Sequence, residues 1–179
     1  MKQFEKTVKS EVIFDGRIVK LRVDDVELPD GSFSKREIVD HQGAVAVLAV
    51  KDEQMIFVKQ YRIASQQLLT EIPAGILEIG EDPAAAAIRE CQEEIGYRPL
   101  NLYKLGDFLP TPGYCSEKIT LFCATEFIWD PLEEDADEFI RVVKIPVRTA
   151  RALFINGQFI DGKTVAALGY YFSITARDC

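Results

Sequence analysis

The sequence predicts an α+β fold with a mixed sheet lying between helices. Three observations carry this reading. Strand patterns crowd the first half of the chain. One sharply delimited helix follows in the middle. Strand patterns then resume before two further helices, without the regular alternation that marks a doubly wound sheet.

Each element has its own warrant. Val19, Leu21 and Val23 alternate with Lys20, Arg22 and Asp24, the period of two of a half-buried strand. Pro29-Asp30-Gly31 forms a turn, because proline presets φ and glycine accepts a positive one. Phe33–Val39 returns as the hairpin partner. Ala44–Val50 is apolar on both faces and reads as a central strand. Lys51-Asp52-Glu53 turns into a strand over Met55–Tyr61. The helix starts at an Asp82 cap with Pro83 in its first position and runs through Ile95. Gly96 suits the left-handed residue that stops it. Further strands are expected over Leu102–Phe108, Ile119–Phe127 and Phe139–Ile145. Helices are expected over Val147–Asn156, stopping at Gly157, and over Thr164–Tyr171 after an Asp161 cap. An acidic loop, Asp130 to Glu138, separates the last two strands.

Composition narrows the class. The chain has 179 residues, 47% apolar and 28% charged, which describes a globular chain rather than a disordered one. Its longest apolar run, Ala44–Val50, falls far short of the roughly 18 residues of a spanning helix. The polar start, Met1 to Lys6, lacks the apolar core of a signal peptide, so a cytoplasmic setting is expected. Twenty-one basic against 29 acidic residues give a net charge of −8, the opposite of a nucleic-acid binder. A phosphate-bearing substrate would be repelled by that field, so phosphate chemistry here requires bound cations. Cys91, Cys115, Cys123 and Cys179 are irregularly spaced and His41 is the single histidine. Neither a zinc site nor a disulfide framework is expected, and His41 reads as structural or surface.

The chemistry gathers on the central helix. Glu90, Glu93 and Glu94 stand at i, i+3 and i+4 and share one stripe. Like charges at that spacing disfavour the helix; Arg89 offsets part of the repulsion and cations would offset more. An all-oxygen donor set on a rigid element suits a hard divalent ion, Mg²⁺ or Mn²⁺. Taken alone, three glutamates describe a solvated helix face. The context changes this. Gly75, Glu81, Arg89, Glu90, Glu93, Glu94 and Gly96 fill all seven fixed positions of Gx5Ex7REUxEExGU, with Cys91 and Tyr97 at aliphatic positions.

This stretch resembles the Nudix box. The resemblance implies an α/β/α Nudix sandwich and hydrolysis of a nucleoside diphosphate linked to another group. It makes Glu90, Glu93 and Glu94 metal ligands, Arg89 their orienting partner, and Glu81 a support for the loop, with Gly75 and Gly96 the box's supporting glycines. Flanking residues are similar to those of ADP-ribose pyrophosphatases and nucleoside diphosphate-sugar hydrolases. Glu71-Ile72-Pro73-Ala74-Gly75 resembles the family's E-x-P-A-G, implying that the Ala74 carbonyl also meets metal. Gln60-Tyr61-Arg62 resembles Q-Y-R, whose arginine contacts substrate. Thr111-Pro112-Gly113-Tyr114-Cys115-Ser116-Glu117 resembles the loop that implies Pro112, Gly113 and Glu117 for substrate binding, with Glu117 at the sugar end. Ile160-Asp161-Gly162-Lys163-Thr164 resembles the I-x-D-x-K-T element.

One departure stands out. Relatives carry Glu-x-Glu before the strand at Phe139, and alignment there places Ala136 and Glu138 at the two glutamates. Glu138 is therefore the expected base, with Glu93 as the alternative. The resemblance further implies residues 1–42 as an N-terminal strand region and 43–179 as the hydrolase domain. It also implies a homodimer with exchanged N-terminal antiparallel strands, which stack the nucleobase near Phe14 and Phe33. As isolated strand aromatics, those two read as core residues. The expected substrate is ADP-ribose or a related nucleoside diphosphate sugar. GDP-mannose preference, or a non-catalytic domain that senses such sugars, are the alternatives.

Overall fold

Two faces of one strand organise the larger part of the chain. The computed structural model describes residues 4–133 and 139–175. Its strands are β1 (Lys6–Asp15), β2 (Lys20–Glu27), β3 (Phe33–Asp40), β4 (Ala44–Lys51), β5 (Gln54–Arg62), β6 (Gln67–Glu71), β7 (Ala74–Ile76), β8 (Tyr97–Pro99), β9 (Tyr103–Phe108), β10 (Ile119–Ala124), β11 (Phe127–Trp129) and β12 (Arg141–Pro146). Its helices are α1 (Pro83–Ile95), α2 (Val147–Ile155) and α3 (Gly162–Thr175). These sort into two units: Met1–Gly43 with Leu109–Lys118, and Ala44–Phe108 with Ile119–Cys179.

In the second unit, the strands run β12-β5-β4-β10-β9, with β6 on β5 and β7 on β4. β4 is parallel to β10 and antiparallel to β5, so the sheet is mixed. Ala44, Ala46 and Leu48 of β4, with Met55 and Phe57 of β5, pack against Ala150 of α2 and Ala167 and Leu168 of α3. Val45, Val47 and Ala49, with Ile56 and Val58, pack against Ala86, Ala87, Cys91 and Ile95 of α1. That is the expected α/β/α sandwich. It explains why β4 reads as a continuous apolar run: both of its faces are covered.

The first unit is the antiparallel meander β1-β2-β3. Its turn is the one predicted: Gly31 takes φ 85° and Asp30 accepts the Ser32 amide at 2.9 Å. All ten residues of β1 are exposed. The Leu109–Lys118 segment attaches to β3, with the Val39 amide donating to Tyr114 O at 2.7 Å and the Ser116 amide to Val39 O at 2.9 Å.

Several boundaries need correction. The strand expected through Phe127 ends at Ala124, because Asn101 Oδ1 takes the Thr125 and Glu126 amides away from the ladder. Phe127–Trp129 pairs instead with Tyr97–Pro99. The last strand starts at Arg141 rather than Phe139. The third helix extends from Gly162 to Thr175, beyond the expected Thr164–Tyr171. Phe14 and Phe33 are not core residues: they are 56% and 70% exposed. Among the described residues, no helix is long and apolar enough to cross a membrane.

Candidate active site

The candidate site is built where β7 passes α1. Asp82 caps α1 as expected, accepting the Ala84 and Ala85 amides at 3.0 and 3.1 Å. Gly96 ends it at φ 74°, and a Cβ there would strike the Trp129 ring. Between these stops the helix is fixed in phase, so its glutamates face β7.

Gly75 is required by this approach. A Cβ at Gly75 would fall within the Glu90 carboxylate. Glu94 Oε2 accepts the Ala74 amide at 3.0 Å, joining the helix to the residue whose carbonyl the resemblance assigns to metal. Glu90 and Glu94 are 8% and 4% exposed. Arg89 gathers the rest: it donates to Glu90 at 2.6 Å, to Glu93 at 2.9 Å and to both oxygens of Glu81 at 3.1 Å. Glu81 also accepts the Glu78 amide at 2.9 Å, closing the loop between β7 and α1. The hydrogen bonds it donates to Glu81 hold Arg89 firmly protonated, and Arg89 in turn holds the Glu81 carboxyl below its ordinary range. Cys91 lies wholly inside, where burial pushes its thiol well up, so it is inert packing rather than a nucleophile.

Arg62 leads to a second charged group. It donates to both oxygens of Glu71 at 2.8 Å. Lys163 donates to the same carboxylate and to Asp161 at 3.0 Å. Burial raises the Glu71 carboxyl, but the Arg62 hydrogen bonds and the Lys163 charge outweigh it, leaving the group below its ordinary value. Asp161 is the predicted helix cap, accepting the Thr164 amide at 3.0 Å. Glu71, Lys163 and Thr164 were quoted in the sequence motifs without a role. The sequence offers one signal for Glu71, a carboxylate heading an otherwise apolar stretch, Glu71-Ile72-Pro73-Ala74.

The remaining candidates lie elsewhere. Pro112, Gly113 and Glu117 belong to the first unit, where Glu117 lies 3.9 Å from His41 Nδ1. That nitrogen accepts the Gly43 amide at 3.1 Å, a structural role for His41. Glu138, with Ala136, falls outside the described residues.

The donor set fits a hard divalent cation. Three glutamates, Glu81, Glu90 and Glu93, surround one arginine, Glu94 stands beside them on the Ala74 amide, every available donor is oxygen, and the missing Cβ of Gly75 leaves room for the Glu90 carboxylate. In the present arrangement Glu90 and Glu93 turn to Arg89, and among the described residues no three acidic, histidine or cysteine groups are disposed around a common ion.

Comparison with known proteins identifies the family. Residues 40–163 match the NUDIX domain family, and residues 5–39 match the nucleoside diphosphate sugar hydrolase N-terminal domain. The chain is 45% identical over 169 residues to a Bacillus subtilis (strain 168) protein named ADP-ribose pyrophosphatase, covering 93% of this chain and 91% of the relative. It is 44% identical, over the same shares of each, to a Bacillus methanolicus protein named methanol dehydrogenase activator. A solved structure described as an ADP compounds hydrolase superposes with a TM-score of 0.87 at 22% identity, covering 98% of this chain and 96% of the other. That last likeness is one of fold. A family match across most of the sequence, with an intact box folded around a single arginine, makes this chain a member of the Nudix family.

Proposed function

We propose that the chain hydrolyses the diphosphate bond of ADP-ribose or a closely related nucleoside diphosphate sugar. The products are a nucleoside monophosphate and a sugar phosphate, AMP and ribose 5-phosphate for ADP-ribose. The observation that carries this reading is the carboxylate set of Glu90, Glu93 and Glu94, drawn against Gly75 and Ala74 beside Arg89. Support also comes from the N-terminal match to nucleoside diphosphate sugar hydrolases.

Glu90, Glu93, Glu94 and the Ala74 carbonyl would hold Mg²⁺ or Mn²⁺. Bound there, the ion would supply charge neutralisation of the diphosphate and a lower pKa for the attacking water. Arg62 steadies the diphosphate by charge-assisted hydrogen bonds. Arg89 and Glu81 keep the ligand carboxylates in place. Glu138 takes the proton of the attacking water, with Glu93 as the alternative. Water oxygen bonds to one phosphorus as the bridging P–O bond breaks. Glu117, Pro112 and Gly113 are assigned to the substrate, Glu117 at the sugar end. The chain acts in the cytoplasm as a homodimer through its N-terminal strands, with residues 1–42 as the strand region and 43–179 as the catalytic domain. The exposed β1 supports this assembly.

The test is phosphate release from a panel of nucleoside diphosphate sugars, coupled to a phosphatase, with Mg²⁺, with Mn²⁺ and with chelator. Metal-dependent turnover led by ADP-ribose is expected. GDP-mannose as the strongly preferred substrate would correct the sugar, and binding without turnover would replace the enzyme by a sensing domain.

A further inference from the structure

A buried ionic group joins β6 to the start of α3. Its centre is Glu71, which is 1% exposed. Arg62 meets one edge of this carboxylate through Nε and Nη2, and Lys163 Nζ meets Oε2. Lys163 is 12% exposed at its side chain and Asp161 14%, so neither charge is balanced by bulk water. Thr164, fully buried, donates through Oγ1 to Asp161 at 2.6 Å and accepts the Ile72 amide at 2.9 Å. The first turn of α3 thus holds both the side chain of Glu71 and the next amide along the segment leading to Ala74.

Within these four the formal charges cancel, Arg62 and Lys163 against Glu71 and Asp161, while Glu94 also attracts Arg62. Arg62 differs from the other three, with 42% of its side chain exposed. Its Nη1 makes no hydrogen bond among the described residues. Without Lys163, the buried Glu71 and the part-buried Asp161 would have one nearby guanidinium, bonded to Glu71, to balance them. Arg62 would then be drawn inward, and a surplus negative charge would stand beside it.

We infer that Lys163 is a positioning residue for Arg62: by balancing Glu71 and Asp161 it leaves the exposed edge of the guanidinium to an anionic substrate. Lys163 itself acts through Glu71 and touches no substrate. This rests on the nucleoside diphosphate sugar reading above and adds the residue that prepares its arginine.

The experiment compares wild type with K163M, K163R, D161N and the K163M/D161N double variant. KM and kcat for ADP-ribose are measured with Mg²⁺, and Kd for ADP-ribose by calorimetry in chelator. K163M is expected to raise KM and Kd roughly tenfold, the loss of about one charge-assisted hydrogen bond, with kcat much less affected. K163R recovers most of the loss. The double variant also recovers it, because removing the Asp161 charge rebalances the group while asparagine keeps the helix cap. A mere brace predicts the reverse, since the double variant loses more contacts. Should K163M not fold, the double variant against D161N carries the same comparison. A double variant as impaired as K163M, or a K163M indistinguishable from wild type, overturns the inference alone. A wild type inactive on every nucleoside diphosphate sugar overturns it together with the functional reading.

Discussion

Gly75 shows how little room a single position has. The Glu90 carboxylate occupies the place of a side chain at residue 75. Gly75→Ala is therefore expected to push Glu90 out of line at a cost of about 1–3 kcal/mol, as overpacking does. Turnover should collapse while the variant still melts cooperatively, which paired activity and calorimetry measurements check. Glu90→Gln removes the charge of a proposed metal ligand at nearly constant volume, so it should abolish turnover with the melting temperature nearly kept. Retained activity would remove Glu90 from the ligand set. Glu71 and Glu81 add a pH dependence. Folding lowers both carboxyls, so their ionised forms stabilise the fold fully above the ordinary value of about 4.3. That stabilisation is lost as pH falls through the lowered folded values. Denaturant midpoints should hold at neutral pH and decline below roughly pH 4, and Glu71→Gln should flatten part of the decline.

At the scale of elements, α1 matters because its two ends set its rotation. Asp82→Ala should cost about 1 kcal/mol through loss of the cap. For a domain of this size that is a fall of roughly 2–4 °C in Tm. Gly96→Ala should cost more, since it places a side chain at positive φ, worth about 1–2 kcal/mol, and against Trp129. Both variants are expected to lose activity beyond what their stability explains, because a small rotation of α1 moves Glu90, Glu93 and Glu94 together. Thermal melts beside kcat at a temperature well below either midpoint would separate the two effects. β11 contributes here as well: the Asp130 amide donates to Gly96 O at 3.1 Å, and Gln92 Nε2 to Asp130 O at 2.8 Å. The strand leading to the acidic loop is thereby tied to the same helix.

For the whole molecule, β1 is the outstanding feature. Val8, Val12 and Phe14 are 57%, 49% and 56% exposed on a strand paired on one side only. Apolar strands left open in this way invite pairing with another chain. Sedimentation equilibrium is expected to return twice the 20.2 kDa chain mass. Val12→Asp should shift that equilibrium toward single chains, and a single-chain mass for wild type would remove the homodimer from the proposal.

The parts governed by local physics could be read from the order of residues. The caps of α1, the Pro29–Gly31 turn and the two-sided β4 were all legible, because each depends on neighbours within a few residues. The glutamate stripe was legible because the helix repeat puts Glu90, Glu93 and Glu94 on one face whatever surrounds it, and the box because its seven fixed positions resemble a family motif. Tertiary structure decided the rest. The short strands Gln67–Glu71, Ala74–Ile76 and Tyr97–Pro99 have too few residues to show a period and exist through their partners in the sheets. The break after Ala124 depends on Asn101, 24 positions earlier. The pairing of Glu71 with Lys163 spans 92 positions, and no spacing rule reaches that far. Nearby residues meet through backbone geometry that the chain carries everywhere. Distant residues meet only once burial has selected which faces of the sheet are covered.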